Sequence, residues 1–389
     1  MSERLRVCLV SAAYRPYPSG VSEHVYHLAH SLHALGQEVS VLTTNFPGPE
    51  ELPGPFPVTR VGRALLVPMN KSYATVPVGL RMPDQVKRFL DAGRFDIVHC
   101  HGLYWPEIAY WALRHSRTTN LVTFVTAGFR IHTAGSTLFR RLFRQHLSRI
   151  HGRIAISNRA RDAALPYVPG EYRLIPCGVD LDRFRPGLER PASLETGRPT
   201  ILFLGRMDRR KGVEILLRAM PGVLARIPNA LLVVVGRGPM EKAAQALVHS
   251  LNLGCSVRLC GGVPQADLPG YYAACDVYCS PALGGETLGI VLLEAMAAGA
   301  PVVASDIPGY DETIRSGTDG LLCPPGEPDA LAQCLVRVLS DAAIRSRLSA
   351  AGIERARDYA WPVVARRTLE FYRELLPAQA ASASASPLN

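Results

Sequence analysis

Residues 176–199, rich in Pro, Gly and charge, interrupt an alternation of strand-like and helix-like segments that begins again near residue 199. A chain of 389 residues with the same rhythm twice over is confined to two α/β domains, each a largely parallel sheet with helices on both faces. In the first round, residues 6–11 (RVCLVS) form a continuous apolar run, the pattern of a strand buried on both faces. A Pro/Gly/Ser loop at 15–20 and a helical stretch at 21–35, stopped by Gly36, follow it. Further strands are expected at 39–43, 95–99, 121–126 and 153–156. The second round places strands at 200–204, 230–235, 257–260, 277–279 and 301–304, with a helix at 213–226. Residues 361–376 have amphipathic helical spacing, with Val364, Leu369, Phe371, Tyr372 and Leu375 apolar. The Ala- and Ser-rich end, 377–389, is expected to be disordered. The expected domains are 1–180 and 181–358.

Composition narrows the class. Hydrophobic residues make up 48% of the chain and charged residues 20%, the balance of a soluble globular protein. No apolar run approaches the roughly 18 residues that a membrane span needs. The opening MSERLRVCLV reads as a strand and not as a cleaved leader, which makes a cytoplasmic location the expectation. Nine cysteines without a CxxC pair or a zinc-type spacing point to reduced core thiols. The net charge of +10 lies in the first half: residues 1–190 carry 24 Lys and Arg against 14 Asp and Glu, the remainder 19 against 19. Nucleic acid, an anionic membrane surface or an acidic small substrate each suits that excess, as does a plain solvated surface. Residues 137–153, TLFRRLFRQHLSRIHGR, form a basic amphipathic stretch, suited either to lie on anionic lipid or to pack with a solvated Arg face.

Three strand-to-helix turns carry the chemistry. GGETLGIVLLEAMAAG, residues 284–299, places Glu286 just ahead of a helix and Glu294 two turns further on. The backbone N–H groups of Thr287, Leu288, Gly289 and Ile290, with the helix dipole behind them, suit an anion such as a diphosphate. Glu294 is placed to accept hydrogen bonds from ribose hydroxyls. GRMDRRKG, residues 205–212, follows a strand and precedes a helix, at the carboxyl edge where doubly wound sheets bind ligands. From this turn, opened by Gly205, Arg206 and Lys211 can reach an anion, while Arg209 and Arg210 are expected in solvent. PSGVSEH, residues 18–24, puts Gly20 at the first such turn, where a missing Cβ lets the backbone approach a phosphate.

Other matches carry less. Asp180-Leu181-Asp182 has a metal-nucleotide form but falls in the linker. His99 and His101 share one strand face without a third ligand, which favours a substrate-lining or core role over a metal. Gly236-Arg237-Gly238 lacks the third glycine of a dinucleotide loop.

SGVSEH, IPCGVDLDRF, GRMDRRKG, VVVGRGP, CDVYCSPALGGETLGIVLLEAMAAGAPVVASDIPG and the closing YAWPVV together resemble glycosyltransferase family 4 across essentially the whole chain. The resemblance implies the GT-B architecture, an α/β fold of two Rossmann-like doubly wound domains facing a central cleft. It also implies that the 361–376 helix crosses back onto the N-terminal, acceptor-side domain. Within the family the likeness is closest to phosphatidylinositol mannosyltransferases, on DVYCSPALGGETLGIVLLEAMAAG, VVASD and GRALLVPMNKS. The activity so implied is retaining transfer of a sugar, from GDP-mannose, to a lipid or glycan acceptor such as phosphatidylinositol. No cofactor, no metal and no nucleic-acid partner is expected; the partners are the nucleotide-sugar and an anionic membrane surface or lipid acceptor reached through the basic half, at the inner face of the membrane. By the resemblance Glu286, Arg206 and Lys211 are catalytic. Gly20, Gly205, Arg206, Lys211, Glu286, Thr287, Leu288, Gly289, Ile290 and Glu294 would hold the donor, and Ser22, Asn70, Lys71, Arg130 and His132 lie on the acceptor side.

One departure stands out: in TFVTAG, Val125 occupies the place where many relatives carry a His facing the reacting sugar, and His132 is the nearest substitute. A UDP-sugar-dependent transferase, a nucleotide-sugar 2-epimerase, a glycan phosphorylase using pyridoxal phosphate and a non-catalytic nucleotide-sugar binder all remain open at this point.

Overall fold

RVCLVS forms β1 (Arg6–Ser11), and its side chains divide between two cores as pleating requires. Val7 and Leu9 join one cluster of buried residues, Cys8 and Val10 another. The computed structural model describes all residues except 1–3, 18, 47–53, 70–71, 104–106, 127–145, 192–193, 195–196 and 385–389, and excludes the side chains of 66–76 and 377–384.

Two compact units result. One comprises Met1–Gly178 with Trp361–Asn389, the other Val179–Ala360. After β1 the first unit continues through α1 (Gly20–Ala34), β2 (Glu38–Asn45), β3 (Val58–Met69), β4 (Ser72–Val78) and α2 (Met82–Gly93). It goes on with β5 (Ile97–His101), α3 (Ile108–His115), β6 (Thr119–Phe124), β7 (Gly152–Ala155), α4 (Asn158–Ala164) and β8 (Arg173–Leu174). The second unit contains β9 (Thr200–Leu204), a 3-10 turn at Arg209–Lys211, α5 (Val213–Leu224), β10 (Leu231–Val235), α6 (Glu241–Ser250), β11 (Val257–Gly261), α7 (Leu268–Ala274) and β12 (Val277–Ser280). It closes with α8 (Ile290–Ala297), β13 (Val302–Ser305), β14 (Leu321–Cys323), α9 (Pro328–Ser340) and α10 (Ala342–Arg357), after which α11 (Trp361–Ser384) returns to the first unit.

The second sheet runs β11-β10-β9-β12-β13-β14 and is parallel throughout. Numbered from its own first strand this is the 3-2-1-4-5-6 order of a Rossmann fold, which reverses between β9 and β12. The first sheet runs β4-β3-β2-β1-β5-β6-β7-β8 and has the same centre, with its reversal between β1 and β5. Among the described residues its one antiparallel pair, β3 with β4, joins Arg63 to Val78 and Met69 to Ser72 at its ends.

α11 supplies much of one face of the first unit. Trp361, Val364, Ala365, Leu369 and Tyr372 are buried there with Leu28, Ala29 and Leu32 of α1. Each fully buried large side chain of this kind stabilises by roughly 1.5–3 kcal/mol. Val179 N–H donates to the Tyr359 carbonyl at 2.8 Å, so the outgoing and returning strands run side by side at the edge of the second unit.

Several expectations are corrected. α11 is described as far as Ser384, past the end expected at 376; the Ala-rich sequence there has a strong intrinsic helix preference. The strands placed at 95–99 and 121–126 lie at Ile97–His101 and Thr119–Phe124. Residues 137–145 of the basic stretch lie outside the described residues; His146 and Leu147 are helical, and Gly152 and Arg153 belong to β7. Cys255 is exposed, unlike the core thiols Cys8, Cys100, Cys177, Cys279 and Cys323. Among the described residues no helix is long and apolar enough to cross a membrane.

Candidate functional site

Two of the three turns meet at the carboxyl edge of β9 and β12, where the strand order of the second sheet reverses. Residues 205–212 leave β9 and residues 281–289 leave β12. Two hydrogen bonds stitch them together: Leu283 N–H donates to the Arg210 carbonyl at 2.8 Å, and the Arg210 side chain donates through Nη1 to the Gly285 carbonyl at 3.2 Å. Asp208 shapes the first turn by capping its 3-10 segment, with Oδ1 accepting from Lys211 N–H at 3.0 Å.

Glu286 is the centre of this arrangement. Its side chain is only 10% exposed, and Oε1 takes both Lys211 Nζ, at 2.9 Å, and an Arg210 guanidinium nitrogen. Arg210, expected in solvent, is therefore the second cation of the cluster; the fold of the loop turns it toward the 281–289 turn, which spacing alone does not reveal. Arg206 is half-exposed, its Nε 3.9 Å from Asp208 Oδ2. A carboxylate on two cations at a mostly buried position is a charge-assisted arrangement that an incoming anion can rearrange.

α8 starts immediately beyond. Its N-cap, Gly289, is left-handed at φ +79° and offers no side chain to the first turn. A Cβ at Gly289 would lie 2.6 Å from the Tyr310 ring, so only glycine fits this bend without displacing it. Thr287 and Ile290 are half-buried and Leu288 and Gly289 buried. No side chain caps the start of α8; Leu292 N–H donates to the Gly289 carbonyl at 2.8 Å, and a helix start of this kind suits an anion. Glu294, on the second turn, accepts a hydrogen bond from Tyr272 Oη at 3.0 Å. Burial and that carboxylate push the Tyr272 phenol well above its usual range. Gly205 leads out of β9, and a Cβ there would meet nothing within 4 Å.

In the first unit the corresponding turn lies at the start of α1. Ser19 caps the helix, its hydroxyl accepting from Ser22 N–H at 3.1 Å. A Cβ on Gly20 would meet no protein atom within 4 Å, and Ser22 is fully buried, its hydroxyl without a partner among the described residues. His101 and His99 on β5 are buried with His24 of α1, so the pair belongs to the core. Val125 is half-buried just past β6. Asn70, Lys71, Arg130 and His132 lie outside the described residues. Asp180 is used locally, its Oδ1 accepting from the N–H groups of Asp182 and Arg183.

Residues that sequence reasoning missed are Arg210, Asp208, Tyr272, Ser280 and Tyr310. Only Asp208 had a signal, a turn-capping residue three positions ahead of Lys211.

The family model for Glycosyltransferase Family 4 matches residues 18–183, and that for Glycosyl transferases group 1 matches residues 187–355. The chain is 36% identical to a phosphatidyl-myo-inositol mannosyltransferase of Mycobacterium leprae, covering 95% of this chain and 96% of that protein. Over 56% of this chain and 59% of the relative it is 35% identical to a GDP-mannose-dependent alpha-(1-6)-phosphatidylinositol monomannoside mannosyltransferase of Mycobacterium tuberculosis. Among solved structures it resembles sucrose-phosphate synthase from Thermosynechococcus elongatus, with a TM-score of 0.74, 27% identity and coverage of 96% of this chain and 100% of that one.

Proposed function

We propose that this chain, which belongs to glycosyltransferase family 4 and is a mannosyltransferase with the GT-B fold, moves mannose from GDP-mannose to phosphatidylinositol, with retention and without a metal ion. The observation that carries the donor side is the Glu286 cluster: Lys211 and Arg210 on one carboxylate, beside the uncapped start of α8.

The donor diphosphate takes Lys211, Arg210 and the amides of Thr287, Leu288, Gly289 and Ile290, with Arg206 and Gly205 at the mouth of the β9 turn. Its arrival draws the two cations off Glu286, and the freed carboxylate then accepts hydrogen bonds from the sugar hydroxyls. Glu294 takes the ribose. As the bond from the sugar C1 to the diphosphate oxygen breaks, negative charge grows on that oxygen where cations and amides already point, an electrostatic stabilisation that needs no reorganisation. The acceptor hydroxyl bonds to C1 from the same face, and its proton passes to the departing phosphate oxygen. Fixed cations and a helix start neutralise the diphosphate in place of a metal. Ser22, Asn70, Lys71, Arg130 and His132 serve the acceptor, and Gly20 approaches a phosphate. The positive excess of residues 1–190 favours an anionic lipid surface.

The test is a thermal-shift screen against GDP, UDP, ADP and their sugar conjugates, followed by transfer assays on phosphatidylinositol vesicles with EDTA and proton NMR of the product anomer. A GDP-selective shift and EDTA-resistant transfer giving an α-mannoside support the reading. A UDP-selective shift removes the mannosyl donor, loss of turnover in EDTA removes the metal-free mechanism, and binding without transfer leaves a nucleotide-sugar binder.

A further inference from the structure

The turn that carries Glu286 is moulded from below by a second segment, residues 307–314, which lies between β13 and β14. Three separate contacts define the mould. Gly309 faces the carbonyls of Glu286 and Thr287 so closely that a Cβ there would lie 2.9 Å from each oxygen. The Tyr310 ring fills the space in which a side chain at position 289 would stand. Thr313 Oγ1 donates to the Leu288 carbonyl at 2.6 Å. Four consecutive residues of the anion-facing turn, Glu286 to Gly289, are thus set by one short segment that itself bears none of the cations.

Tyr310 anchors the segment in turn. It is fully buried, and its hydroxyl is 2.7 Å from the hydroxyl of Ser280, the last residue of β12. Ser280 is also buried, so the two hydroxyls are each other's partner in a region closed to water, where such a bond is strong and its loss is felt. Burial, with the charge of Glu286 adding to it, pushes the Tyr310 phenol above its usual range, which keeps it neutral and able to donate. The rigid end of β12, the Tyr310 phenol and the Gly289 bend form one continuous line of contact.

We propose that Tyr310 is a positioning residue for the transfer reaction: locked by Ser280, it holds the Glu286–Ile290 turn in the shape that aims the carboxylate and the α8 amides. The catalytic part of this inference rests on the mannosyltransferase reading above; the structural part stands without it. Deleting one hydroxyl loosens the turn while leaving the aromatic ring, and the core it packs in, in place.

The experiment pairs two readouts on wild type, Tyr310→Phe, Ser280→Ala and the double variant. Amide hydrogen exchange of the peptide spanning 286–291 is expected to rise at least tenfold in each variant, with the remainder of the second unit unchanged. Steady-state kinetics with GDP-mannose and phosphatidylinositol vesicles are expected to show kcat down about tenfold and the donor KM changed by less than threefold. The double variant should be no slower than either single one, because all three lack the same bond. Exchange equal to wild type in folded Tyr310→Phe overturns the inference, and so does raised exchange with kcat within twofold of wild type. A wild-type protein without turnover, but with the exchange difference intact, overturns the transferase reading and leaves the moulding of the turn standing.

Discussion

His99 Nδ1 lies 2.6 Å from the hydroxyl of Tyr372, and the other ring nitrogen lies 2.6 Å from Thr123 Oγ1, so one imidazole bridges strands β5 and β6 to the C-terminal helix. A neutral ring has one N–H and one bare nitrogen, and the two hydroxyls satisfy both. His101 sits 4.3 Å away by ring centroids, and His24, whose Nδ1 is 3.2 Å from Cys177 Sγ, lies 5.3 Å from His101. Three buried imidazoles side by side repel protons: burial holds His99 down to about 3 and His24 to about 4, and His101 well below its usual range.

That cluster predicts acid lability of the first unit. The folded-state values lie below the ordinary histidine value of about 6.5, so under that pH the unfolded chain binds more protons and stability falls with pH. The contribution is complete above about 6.5 and is lost progressively toward about 4 and about 3, the values for His24 and His99. Each histidine adds at most about 1.4 kcal/mol per pH unit. Urea unfolding between pH 8 and pH 5 should show the decline, with a shallower slope for His99→Gln. Stability flat across that range removes the account.

Trp361→Ala should weaken the first unit by about 3–5 kcal/mol. The indole stacks on His27, meets His24 edge-on, and fills the space over Gly178, where a Cβ would lie 2.4 Å from it. Calorimetry should resolve a lowered transition for the first unit beside an unshifted one for the second. A uniform shift of both would contradict the division of the chain.

Glu286→Ala should lower kcat at least about 100-fold while the protein stays folded, the scale of losing a group that acts in the transition state. Because the carboxylate already holds Lys211 and Arg210, the cations proposed for the diphosphate, GDP should bind the variant at least as tightly as wild type. Calorimetric titration decides this: weaker GDP binding would mean that Glu286 touches the nucleotide and not the sugar.

Lys211→Ala should weaken GDP about tenfold or more, the size of a charge-assisted hydrogen bond, and the loss should shrink as salt is raised. Arg206→Ala should act in the same direction but less, since that guanidinium is half-exposed. Unchanged GDP affinity in Lys211→Ala would sink the placement of the diphosphate.

Sequence reasoning succeeded where burial leaves its mark on residue type. β1, β9 and β12 are covered on both faces, so their apolar runs are legible without alternation. β5 was placed two residues early because His99 and His101 look like the end of an apolar run, although Tyr372 and Thr123 satisfy both nitrogens of the buried His99. β3 and β4 escaped notice because Gly62, Pro68 and Pro77 read as breakers, which a sheet edge tolerates. The two turns that meet at Glu286 were legible from Gly spacing and from Glu286 and Lys211. Arg210, Ser280 and Tyr310 were not, because their roles depend on which loops the sheet reversal brings together.

The chain leaves the first unit at Gly178 and comes back to it at Trp361. During synthesis the second unit, though encoded later than most of the first, is the earlier to have all of its residues outside the ribosome. The first unit must wait with Leu28, Leu32 and His99 uncovered until Tyr372 has been made, so the half of the molecule that begins first is the half that finishes last.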